Sequence, residues 1–167
     1  MNDAPYTPLF EEMDRLAPEL GEEVVQQVGN LGFSGKNSVC FTYRSDKEMA
    51  ELFDAADLMV CHAGIGTIIN GLDRGIPLVL VPRCTVLPDI SGDQQGIVAE
   101  KIREMGRGTV VKDMCQLKEK IAEARALEPG PYKRDTSLCG FLSDLLGKID
   151  SGAEKSSKDL FHKTRKE

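Results

Sequence analysis

Residues 56–67 read ADLMVCHAGIGT. The run LMVC at 58–61 is short, continuous and apolar, the pattern of a strand covered on both faces. It passes directly into His62, Ala63, Gly64, Ile65, Gly66 and Thr67, where a helix over 66–74 begins. Gly75 ends that helix, and Pro77 cannot continue it. Residues 77–81, PLVLV, repeat the buried-strand pattern. Two such strands joined through a helix form a parallel pair, which places the chain among α/β folds.

The same alternation extends both ways. Upstream, residues 9–20 read as a helix, with Leu9, Phe10, Met13, Leu16 and Leu20 on one face. Residues 23–28 (EVVQQV) and 39–43 (VCFTY) read as strands. Ser45 caps a helix over 46–55, and Glu48 completes a capping box. Met49, Leu52 and Phe53 form its apolar face. Downstream, a helix over 93–105 stops at Gly106, an edge strand covers 108–111, and another helix covers 114–126. The expected architecture is a Rossmann-like parallel sheet flanked by helices, with right-handed crossovers. Residues 1–127 form that domain. Residues 128–150 hold a linker or bend (EPGPY, 128–132) and an amphipathic helix at 137–149, with Leu138, Phe141, Leu142 and Leu145 on one face. Residues 151–167 are a charged tail expected to fray.

The 167 residues suffice for one compact domain. Hydrophobic residues make up 41% and charged residues 29%, so a packed core is expected. The formal net charge of -6 argues against nucleic acid as the main partner. The five cysteines, Cys40, Cys61, Cys84, Cys115 and Cys139, are odd in number and contain no C-x-x-C pair. Reduced thiols in a cytoplasmic protein fit this better than a disulfide framework or zinc site. No metal cluster, signal peptide or membrane-length apolar run is visible.

The turn at 62–67 carries the chemistry. Glycines let the backbone approach a ligand closely and adopt turn conformations. The new helix presents unpaired N–H groups and the positive end of its dipole. Together these suit a diphosphate. His62 can add a donor and Thr67 a hydroxyl, although a tight turn without ligand has the same local pattern. The ends of parallel strands are where open α/β sheets bind ligands. A second loop, 84–92, leads into Asp93, Gln94 and Gln95, whose carboxylate and carboxamides can pair with sugar hydroxyls. Asp93 also fits a helix N-cap.

The blocks VCHAGIGTIINGLDRGIPLVLVPR and DQQGIVAEKIREMG resemble the C-terminal domain of family 28 glycosyltransferases, the donor-binding half of a GT-B fold. The similarity runs from Pro8 to Ala126 and is sharpest at 56–106. Within the family it is greatest to the small Alg13-like and PssE-like subunits. The resemblance implies that Gly64, Gly66 and Thr67, with His62, hold the diphosphate of a UDP-sugar such as UDP-GlcNAc. Asp93, Gln94 and Gln95 would hold the sugar. Tyr43 and Arg44 would lie near the base. It implies no bound cofactor and no metal. It also implies a partner: a membrane-anchored, acceptor-binding subunit (Alg14-like or PssD-like) that supplies the catalytic base and binds a lipid-linked acceptor. The chain would then be cytoplasmic and peripheral at the membrane. The segment 137–149 is a candidate docking helix, and a helix folded on its own sheet fits equally.

Two departures from the family pattern stand out. Many relatives carry a glutamate for the ribose where this chain has Asn70, an amide without the charge that strengthens such a bond. Relatives also begin with a strand ahead of the first helix. Here that central strand is missing, which predicts a gap in the sheet with unpaired backbone groups and a natural start upstream of Met1. Two rivals remain at this stage: a fragment of a UDP-sugar epimerase, and a non-catalytic nucleotide-sugar-binding or interaction subunit.

Overall fold

A computed structural model of the chain describes residues 6–86 and 94–132. The chain divides after Tyr132 into two units, and every described residue belongs to the first. Asp93, most of the 84–92 loop, the 137–149 helix and the tail lie outside the described residues.

Eleven elements follow in order: α1 (Thr7–Leu20), β1 (Val25–Gln27), β2 (Val39–Phe41), α2 (Asp46–Asp54), β3 (Met59–Cys61), α3 (Ile65–Arg74), β4 (Leu78–Leu80), α4 (Arg83–Val86), α5 (Gln94–Glu104), β5 (Gly108–Val110) and α6 (Leu117–Arg125). A 3₁₀ turn, Met114–Gln116, precedes α6. All strand pairs are parallel, in two sheets ordered β1-β2 and β3-β4-β5.

The apolar runs are continuous because both faces of the sheet are covered. Leu78 and Leu80 point into one core with Met59 and Cys61 of β3, Ile68 and Leu72 of α3, and Ala99 and Ile102 of α5. Val79 and Val81 point into the other, against Leu9, Met13 and Leu16 of α1 and Leu117, Ile121 and Ala124 of α6. The period-2 alternation of strand side chains thus builds a helix–sheet–helix sandwich. Val24, beside β1, Leu58, just before β3, and Val60, on β3, pack on this same second core. Among the described residues the break between the two sheets falls there.

Residues 28–38 join β1 to β2 without a helix among them, an unusual link for parallel strands. They are fastened to α1 instead. The Asp14 carboxylate accepts from Lys36 N–H at 3.1 Å, Asn37 N–H at 2.9 Å and Ser38 Oγ at 2.6 Å. Pro18 cannot donate to the Asp14 carbonyl four residues back, and Asn37 Nδ2 takes that place at 3.1 Å.

Ser45 and Glu48 form the expected capping box of α2. At the end of α3, Gly75 is left-handed (φ 70°). Ile76 N–H reaches Gly71 O at 2.9 Å and Gly75 N–H reaches Leu72 O at 3.1 Å, the pairing of a Schellman cap. The segment after α6 returns to this end. Tyr132 N–H donates to Leu72 O at 2.9 Å, and the Arg107 guanidinium holds the Pro129 carbonyl at 2.8 Å and the Gly130 carbonyl. No helix among the described residues is long and apolar enough to cross a membrane.

Candidate functional site

Strand β3 ends at Cys61, whose carbonyl accepts from Val81 N–H at 2.8 Å. That register brings His62, after β3, beside Pro82 and Arg83, after β4. The turn that follows is made differently from the expectation. Gly64 has ordinary extended angles (φ -72°, ψ 131°) and is the N-cap of α3. The left-handed residue is Ala63 (φ 60°), which is buried. A non-glycine residue in that region costs of order 1–3 kcal/mol and persists only where the surroundings impose it. Sequence reading missed it because Ala63 sits between two residues that draw the eye.

Gly64 is needed for space. A Cβ there would lie 2.5 Å from His62 Nε2 and 2.9 Å from its Cε1. The imidazole therefore folds over Gly64, with its other side against the Tyr6 ring at 5.7 Å between centroids. Burial, and then the positive charge of Arg83, hold the His62 pKa below the ordinary histidine value.

Gly66 has the opposite character. A Cβ there would meet nothing within 4 Å, and its φ is not left-handed. Neither packing nor backbone conformation within the chain calls for glycine in this first helical turn. No side chain caps α3, and its ladder begins with Ile68 N–H on Gly64 O at 3.0 Å. The amides of Ile65, Gly66 and Thr67 thus form a helix start without a side-chain cap, the arrangement that receives anions. Thr67 is half-buried at this turn.

The remaining predicted residues fall into three groups. Asn70 lies one turn along α3. Its Nδ2 donates to Gly66 O at 2.9 Å and its Oδ1 accepts from Arg74 Nη1 at 3.1 Å. Arg74 is in turn paired with Asp54 at 2.6 Å. Gln95 of α5 accepts at Oε1 from Arg83 N–H at 3.0 Å and Tyr6 O–H at 3.3 Å, which ties the start of α5 to the end of β4. Gln94 is the first residue of α5. Tyr43 and Arg44 stand just past β2. Tyr43 is 63% exposed, with its hydroxyl over Gly29 in the turn after β1. Arg44 lies 4.9 Å over the Phe41 ring and 3.8 Å from Glu48. The structure thus gathers His62, Gly64, Gly66, Thr67 and Gln95 around the ends of β3 and β4, with Tyr43 and Arg44 past β2.

Sequence reasoning passed over Tyr6 and Arg83. Arg83 Nε is buried and makes no hydrogen bond. Its signal was a cation placed directly after the strand exit VP. Among the described residues no group of histidine, cysteine and carboxylate side chains could hold a metal ion.

The profile of the "Glycosyltransferase family 28 C-terminal domain" matches residues 11–135. A UDP-N-acetylglucosamine--N-acetylmuramyl-(pentapeptide) pyrophosphoryl-undecaprenol N-acetylglucosamine transferase of Solibacter usitatus is 32% identical over 87 residues, 52% of this chain and 23% of that protein. The Deinococcus deserti protein of the same name is 35% identical over 88 residues, 50% of this chain and 22% of its own. An NDP-glycosyltransferase of Bacillus licheniformis is 27% identical over 112 residues, 66% of this chain and 25% of that protein. The chain therefore spans about a quarter of these relatives. The crystal structure of the glycotransferase of kitacinnamycin superposes with a TM-score of 0.59 at 20% identity, covering 96% of this chain and 40% of that one. That likeness shows the fold.

Proposed function

From the premise that the chain belongs to the glycosyltransferase family 28 C-terminal domains, we propose that it is the sugar-donor-binding subunit of a two-component glycosyltransferase. The donor is a UDP-sugar, with UDP-GlcNAc the first choice, since matched relatives bear that name. The observation that carries the reading is the uncapped start of α3, with Gly66 facing open space beside His62. Its amides would stabilise the charge that grows on the leaving diphosphate, a contribution that needs no reorganisation during the reaction. Tyr43, exposed past β2, would stack on the base. Thr67 and Gln95 would contact the phosphate and sugar, with Asp93 and Gln94 beside Gln95. Asn70 would reach the ribose only by giving up its Arg74 contact.

The acceptor half belongs to another polypeptide in this reading. It is a membrane-anchored subunit that supplies the base and presents a lipid-linked acceptor, so that the chain works at the cytoplasmic membrane surface with no bound cofactor. A second reading, a non-catalytic nucleotide-sugar-binding subunit, draws on one observation: the Asn70 amide is already engaged at both ends.

Calorimetry with UDP-GlcNAc on the full chain and on Gly66→Asp tests the proposal. Open space at Gly66 and the favourable dipole at a helix start let the variant fold. A like charge about 4 Å from a phosphate costs ~4 kcal/mol at an effective dielectric of 20, several hundredfold in affinity. Equal binding by parent and variant refutes the site. Transfer to a lipid-linked acceptor only when the partner is co-expressed separates the two readings.

A further inference from the structure

Arg83 opens α4, just past β4, on backbone held at several points. Its N–H donates to Gln95 Oε1 at 3.0 Å, and Thr85 Oγ1 donates to Val111 O at 2.7 Å, which anchors α4 to the end of β5. The guanidinium thus leaves a fixed platform. Its Nε–H is buried without an acceptor, and among the described residues no carboxylate pairs with it. Buried polar groups are nearly always hydrogen-bonded, and a charged donor left without an acceptor is the costly exception. Arg83 also stands close enough to His62 for its charge to disfavour the imidazolium. A buried guanidinium nitrogen without an acceptor, beside the imidazole at the adjacent strand end, is an arrangement that an anion relieves.

We propose that Arg83 is a further binding residue for the nucleotide sugar, bringing the positive charge of its guanidinium to the diphosphate from the end of β4. The proposal rests on the donor-binding reading above. The chemistry favours a phosphate over a hydroxyl partner, because the planar guanidinium matches paired phosphate oxygens. Helix amides and arginine together would hold the diphosphate at the ends of β3 and β4. Bringing the anion in would also raise the affinity of His62 for its proton.

The test uses the full chain, with Arg83→Gln and Arg83→Lys, titrated by calorimetry with UDP-GlcNAc, uridine and inorganic pyrophosphate. Arg83→Gln should bind UDP-GlcNAc and pyrophosphate about 10- to 100-fold more weakly, the range of a charge-assisted hydrogen bond. Uridine binding and the melting temperature should stay unchanged, and Arg83→Lys should recover part of the loss. The dependence of UDP-GlcNAc affinity on salt should be shallower in Arg83→Gln. Equal binding of both phosphate ligands by parent and Arg83→Gln overturns the proposal. So does a parallel fall in uridine binding and melting temperature, which marks a structural role. If the parent binds pyrophosphate through Arg83 but not UDP-GlcNAc, the anion site stands and the donor reading fails. A folded parent that binds no probe overturns both.

Discussion

Two glycines on α3 give a paired measurement of how the helix sits on the sheet. At Gly71 a Cβ would lie 2.6 Å from Leu78 Cδ2 and 2.8 Å from Met59 Cε, and Leu78 is fully buried. At Gly66 a Cβ would meet nothing within 4 Å. Replacing a helical glycine by alanine gains about 0.5–1 kcal/mol. Gly66→Ala should keep that gain. Gly71→Ala must also push aside Leu78 or Met59, and overpacking a filled core costs about 1–3 kcal/mol. The two variants should therefore differ by about 1–3 kcal/mol, with Gly71→Ala the less stable. For a chain of this size each kcal/mol moves the melting temperature by roughly 2–4 °C. Urea unfolding at pH 7.5 without ligand, with matched m-values, gives the difference directly. A Gly71→Ala protein as stable as Gly66→Ala would refute the contact.

Other outcomes follow from single residues. The folded pKa of His62 lies below its unfolded value, so the unfolded chain binds the extra proton. Stability should fall as pH drops from about 6.5 through the folded pKa, and His62→Gln should flatten that part of the melting-temperature profile. Burial pushes the Cys61 thiol up to about 11. Iodoacetamide at pH 8 should label Cys115, which is exposed, and spare Cys61 until urea is added, as read by peptide mass spectrometry. Leu80 is fully buried between α3 and α5, and Leu80→Ala should cost about 2–5 kcal/mol in the same urea assay.

Much of the fold was legible because its signals are local and redundant. Leu78 to Val81 form an unbroken apolar run whose alternate members enter the two cores. Gly75 and Pro77 stop α3 where expected, and Ser45 with Glu48 starts α2. Element ends shifted by a residue or two. Helix α1 begins at Thr7 rather than residue 9, with Pro8 in its first turn, where a missing N–H costs nothing. The helix expected over 114–126 splits, because the Asp113 side chain accepts from Cys115 N–H and makes a 3₁₀ turn first. In the site, the helix start and Gly66 could be read from the glycine pattern. Ala63 could not, since its strain is imposed by strand register rather than by its own type. Nor could the engagement of Asn70, which depends on Arg74 meeting Asp54 from α2, twenty residues back. The buried Nε of Arg83 is likewise a product of packing.

The strap at the far end of α3 turns that helix into a lever. Tyr132 N–H grips the Leu72 carbonyl in its last turns, and Arg107 clamps the neighbouring carbonyls of Pro129 and Gly130. Tension applied beyond residue 132 enters the domain there. The 10-residue helix, about 15 Å long, joins that fastening to the amides at its other end.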